Sequence, residues 1–119
     1  MAPIKVTVAT AYEDGLFTIG FADDVGGSAL LVSRADEFDE QDVRLGMDTY
    51  CVSTQAGAAH YGGITAVTLT GPELRIELSR EAADELGLDQ SLTLLLGDNA
   101  AAVSADQGLR RLGVPVVEI

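Results

Sequence analysis

A period of two, cut into short lengths by turn residues, constrains the fold of this chain more than any other feature. Ile4, Val6 and Val8 alternate with Lys5, Thr7 and Ala9, so one set of side chains falls on each face of a strand. Glu13-Asp14-Gly15 is a turn signal, because Asp-Gly accommodates the positive φ of a tight hairpin. Residues 16–21 form the returning strand, with Phe17, Ile19 and Phe21 on one face. Asp23-Asp24-Val25-Gly26-Gly27 marks a second turn, and residues 28–33 a short apolar strand. Further strands are expected at 49–54, 64–70, 73–78 and 91–96, with a small, flexible loop at 55–60. Residues 114–119 read as a last edge strand or a segment that covers the core.

Two helices interrupt this pattern late in the chain. Ser79 is a good N-cap for residues 80–86, and Gly87 suits the left-handed position that ends a helix. Asp98 or Asn99 caps a second helix over 100–112, closed by Gly113, and Pro115 prevents its continuation. Strands adjacent in sequence and joined by short turns predict an α+β fold: a mainly antiparallel sheet of six or seven strands, with two helices in the C-terminal half. At 119 residues the chain suits one domain, 1–119. Aromatic residues are only 5% and Trp is absent, so Val, Leu, Ile and Ala must build the core.

One stretch breaks the alternation. Asp36, Glu37, Asp39, Glu40, Asp42 and Asp48 place six carboxylates within residues 36–48, offset only by Arg44. Concentrated like charge costs stability by self-repulsion, so folding alone does not call for it. The stretch is the leading candidate for a partner-binding surface, and its residues 39–45 have a weak helical pattern. The net charge of −12 argues against direct nucleic-acid binding, which needs Lys and Arg at the phosphates, and against an anionic membrane surface. It fits a basic protein partner reached by electrostatic steering, or a surface tuned for solubility.

Residues able to carry chemistry are few. No nucleophile-elbow, phosphate-loop or dinucleotide-binding motif is present, and turns explain Gly26-Gly27 and Gly62-Gly63 better than phosphate cradles do. His60, the one histidine, reads as a solvated loop residue that would meet Cys51 only if strand and loop converged. Cys51 is the one cysteine; it reads as a small buried hydrophobe and excludes an intrachain disulfide. The acidic stretch fails the EF-hand template, with Phe38 third, Gln41 sixth and Met47 twelfth counted from Asp36. A looser calcium or magnesium site on oxygen ligands stays open. No cofactor and no catalytic residue are expected. Residues 1–11 do not read as a signal peptide, and no apolar run is long enough to span a bilayer, so a cytoplasmic location is expected.

With Glu37-Phe38-Asp39-Glu40-Gln41-Asp42, Leu45-Gly46-Met47-Asp48-Thr49-Tyr50 and Tyr61-Gly62-Gly63, the chain resembles immunity protein family ten of bacterial polymorphic toxin systems. Residues 73–78, Ala82-Ala83 and Leu86-Gly87-Leu88 agree with it as well, so the resemblance covers roughly 30–112. It implies a small cytoplasmic protein without catalysis of its own, which binds and neutralises the toxin encoded beside it. The acidic charge of the chain suits the capping of a basic toxin, such as a nuclease, with other toxin chemistries left open. Within these motifs Tyr50 and Tyr61 suit core packing, and Gly62-Gly63 a bend or bulge. The alternatives are an acidic interaction or nucleic-acid-mimic module with another target, and a small-ligand or metal-binding domain using the same carboxylates.

Overall fold

The computed structural model describes residues 4–23 and 29–119. Of the turn expected at 23–27, Asp23 ends the second strand, while 24–27 and the start of the third strand at Ser28 lie outside the described residues. Among the described residues the chain runs β1 (Ile4–Glu13), β2 (Leu16–Asp23), β3 (Ala29–Ala35), α1 (Glu40–Arg44), β4 (Cys51–Thr54), β5 (Ala59–Tyr61), β6 (Ile64–Thr70), β7 (Glu73–Leu78), α2 (Arg80–Leu86), β8 (Ser91–Leu96), α3 (Asn99–Arg111) and β9 (Val117–Glu118). The nine described strands form one mixed sheet in the order β5-β4-β3-β2-β1-β8-β7-β6-β9.

The fold is α+β as expected, but the sheet is larger and less uniform. The three-residue β5 lies where a loop was expected, and it is too short to show a period of its own. β1 pairs with β8 in parallel, and β6 with β9 likewise, through closures between distant segments that local alternation does not encode. A third helix, α1, sits in the N-terminal half inside the acidic stretch. The two C-terminal helices carry the expected signals. Ser79 and Asp98 accept from the backbone amides of Ala82 and Ala101, and Gly87 closes α2 in the left-handed conformation. The first hairpin turns on Asp14 and Gly15, both with positive φ.

Connectivity forces the sheet to curl. β5 and β6 occupy the first and eighth positions of the strand order, yet only Gly62 and Gly63 separate them. In a flat sheet seven strand spacings would set them roughly 34 Å apart, while a two-residue link reaches about 10 Å. The concave face therefore closes on itself around an aliphatic core. Ile19, Val32, Val52, Leu74 and Ile76 are fully buried there, and Phe17 and Phe21 are its buried aromatics. α3 packs across β1, β2 and β8, and α2 packs against β5.

Tyr50 fastens the curl. Its hydroxyl accepts from the Ile64 amide at 2.9 Å and lies 3.4 Å from the Ile64 carbonyl, to which it donates. Its own carbonyl accepts from the Gly62 amide at 2.9 Å, so one residue holds both ends of the link. Gly63, at φ +93°, accepts from the Ser79 amide at 2.7 Å. A Cβ on Gly63 would come within 2.5 Å of the Ala82 Cβ, so only glycine lets α2 seat against the link. Burial pushes the Tyr50 phenol above its ordinary value of 10.0, with the bond to Ile64 opposing.

Tyr50→Phe should therefore cost about 1–3 kcal/mol, since it orphans a part-buried amide, and lower Tm by roughly 5–15 °C. A raised folded-state phenol contributes stability that is fully present below the unfolded pKa and is lost as pH rises through the folded one. Thermal unfolding of the wild-type chain should lose stability above about pH 10, and Tyr50→Phe should weaken that loss.

Candidate functional site

The acidic stretch connects β3 to β4 and is anchored at its base. The Asp36 amide donates to the Gly15 carbonyl at 2.8 Å, and the Asp36 carboxylate accepts from the Tyr12 hydroxyl. That hydrogen bond is the main cause of the upward shift of the Tyr12 phenol from 10.0. The Arg111 guanidinium, from the end of α3, stands 4.9 Å from the Tyr12 ring centre and 4.3 Å from that of Phe17. On the other side Arg34 lies 5.5 Å from the Phe38 ring and donates to the Leu112 carbonyl at 3.2 Å. Two cations of an acid-rich chain thus lie beneath the connection and tie it to the end of α3. Cation–aromatic contacts of this kind contribute about 0.5–1 kcal/mol each at exposed sites.

From this base α1 projects without burying any of its residues. A reciprocal capping box forms it: the Asp39 carboxylate accepts from the Asp42 amide at 2.8 Å, and the Asp42 carboxylate from the Asp39 amide at 3.1 Å. The six carboxylates singled out in the sequence therefore divide. Asp36, Asp39 and Asp42 have structural partners, which the charge count alone does not reveal, although Asp at an N-cap with an acid three residues later is a readable signal. Glu37, Glu40 and Asp48 are exposed and make no hydrogen bond or ion pair among the described residues. Beside them Val43 and Leu45 are 58% and 60% exposed. The connection displays both negative charge and apolar surface.

The other residues singled out fall in different settings. His60 belongs to β5, and its Nδ1 lies 2.5 Å from the Glu85 carboxylate on α2, a pairing across 25 positions that no local pattern announces. Cys51 and His60 do lie on adjacent strands, since Cys51 pairs with Tyr61 and Val52 with His60. Strand alternation then sends the thiol and the imidazole to opposite faces. Burial pushes the Cys51 thiol above 9.0, with a hydrogen bond to the His60 backbone opposing. Of the two motif tyrosines, Tyr50 packs against the core as expected, whereas Tyr61 is 42% exposed on the edge strand. Among the described residues no three His, Cys, Asp or Glu side chains gather closely enough to hold a metal ion. No helix of the described residues is long and apolar enough to cross a membrane.

The family model described as Immunity protein 10 matches residues 4–104, from the first residue of β1 into α3. The chain belongs to that family. The matched span contains the acidic connection, the Tyr50 latch and the Gly62-Gly63 link. No curated protein and no solved structure matches the chain.

Asp39→Ala should speed amide exchange at Asp42 and through α1, because losing an N-cap costs about 1 kcal/mol. Asp39→Asn removes the same charge but can still cap, so it should leave that exchange close to wild type. Equal acceleration in both variants would mean that charge, and not the cap, holds α1.

Proposed function

We propose that the chain neutralises a cognate toxin of a bacterial polymorphic toxin system by binding it in the cytoplasm of the cell that makes both. Membership of the Immunity protein 10 family over residues 4–104 carries this reading. It describes a binding protein with no chemistry of its own. The net charge of −12 and the projecting connection add the partner's character. A basic toxin, and most concretely a nuclease whose active site must attract phosphate, meets complementary charge at Glu37, Glu40 and Asp48. Asp36, Asp39 and Asp42 contribute field from positions fixed by their structural partners. Steering of this kind raises association rates by about 10- to 1,000-fold at low salt, and close packing then sets the dissociation rate.

Co-expression with the toxin encoded beside the chain should restore growth of the host; continued killing would defeat the proposal. The triple variant Glu37→Gln, Glu40→Gln, Asp48→Asn should associate with that toxin about tenfold more slowly at low salt, with a flatter salt dependence and an unchanged Tm. An unchanged on-rate would place the steering charges elsewhere on the chain.

A further inference from the structure

The strand registers align two rows of side chains across the outer, convex face of β1–β5. One row is Ala9, Gly20, Leu31, Ser53 and Ala59; the other is Ala11, Thr18, Ser33, Cys51 and Tyr61. Neither row contains a charged residue. Further along the same face, across β7, stand Glu73, Arg75 and Glu77, with Thr93 and Thr68 flanking Arg75. The two rows therefore lack charge in a chain of net charge −12, with the exposed Lys5 and Glu13 on the same face of β1 lying beyond them at either end of the strand. Large apolar groups also reach solvent on this half of the face, where Leu16 is 44% exposed, Leu31 37% and Tyr61 42%; on the charged half Val117, beside Thr68, is 59% exposed. Leu31 lies across the row, close enough that a Cβ on Gly20 would come within 3.0 Å of its Cδ2.

The acidic connection borders this half. A hollow of about 130 Å³ is lined by Leu16, Ser33, Cys51 and Tyr61 from the outer face together with Phe38 and Asp42 from the connection. An uncharged centre beside a charged margin is the anatomy of a protein interface. We propose that the outer face of β1–β5 is the centre of the toxin-docking surface, with the acidic connection as its rim. The inference rests on the immunity reading and specifies the partner: a protein surface with an apolar middle and Lys or Arg around it. A second copy of this chain is the poorer occupant, since pairing would bring two acidic rims together. Five strands and two side-chain rows cover roughly 300 Å², against the ~800 Å² each partner contributes to a standard interface. The connection, with Val43 and Leu45, supplies further contact area.

The test uses the full chain and the catalytically inactivated toxin encoded beside it. Leu31→Arg should weaken binding at least about 100-fold and Tyr61→Ala about tenfold, mainly through faster dissociation. Thr70→Arg, opposite Glu73 on the charged half, should stay within about threefold of wild type as a same-chemistry control. In the unmodified chain Cys51 serves as a reporter, and bound toxin should slow its alkylation. That readout decides the matter even if Leu31→Arg fails to fold. If the toxin binds wild type and both variants alike, and leaves Cys51 alkylation unchanged, this surface is wrong while the immunity reading stands. If the toxin does not bind the wild-type chain at all, the immunity reading fails and this inference fails with it. Self-association of the wild type that Leu31→Arg abolishes would assign the face to a second copy and overturn the proposal.

Discussion

The architecture depends on how the chain passes from β5 to β6 within two residues while those strands stand seven places apart in the sheet. A flat sheet cannot satisfy that connection. The curl makes a concave side that an aliphatic core can fill and a convex side that faces water. Tyr50 holds the crossing with its carbonyl on Gly62 and its hydroxyl on both backbone groups of Ile64. A tyrosine suits this place because its ring packs against the core while its hydroxyl satisfies backbone groups that the crossing leaves without a ladder partner. α2 then seats against Gly63 and brings Glu85 to His60.

The same curl separates packing from display. Helices and apolar strand residues occupy the inside, so no partner needs to reach it. The acidic connection leaves the end of β3, is held by Tyr12 at Asp36 and by Arg34 at Phe38, and carries α1 outward with none of its residues fully buried. Some of the charge that appeared excessive in the sequence has a structural use, as cap and anchor. The remainder, at Glu37, Glu40 and Asp48, is available to a partner. Exposed charge of this kind would act on a partner mainly through encounter rate, because exposed charge pairs contribute little to affinity once screened.

Much of the fold was legible in the sequence because its signals are local. The Asp14-Gly15 hairpin, the inward faces of β2 and β7, and the Ser79, Gly87 and Asp98 caps all follow from residues within a few positions of one another. What was not legible depends on distant segments. The parallel pairing of β1 with β8 spans most of the chain, β5 lies along β4 where the sequence reads as a loop, and the edge strand expected within 114–119 shows its parallel partner, β6, only in the register. Legibility of the site divides on the same line. The location of the acidic stretch and its family motif could be read directly, and the Immunity protein 10 match contains both. The anchoring of Asp36 by Tyr12, 24 residues away, and the uncharged rows that cross five strands required the register.

The central claim is that the connection at 36–48 and the outer face of β1–β5 form one toxin-binding side. Backbone amide exchange, compared between the free chain and its complex with the inactivated neighbouring toxin, tests it most directly. The account predicts that slowed exchange gathers in α1, its flanking residues and β3–β5, with β6, β7 and β9 unaffected. Protection concentrated on β6, β7 and β9, with α1 exchanging as fast as in the free chain, would contradict it.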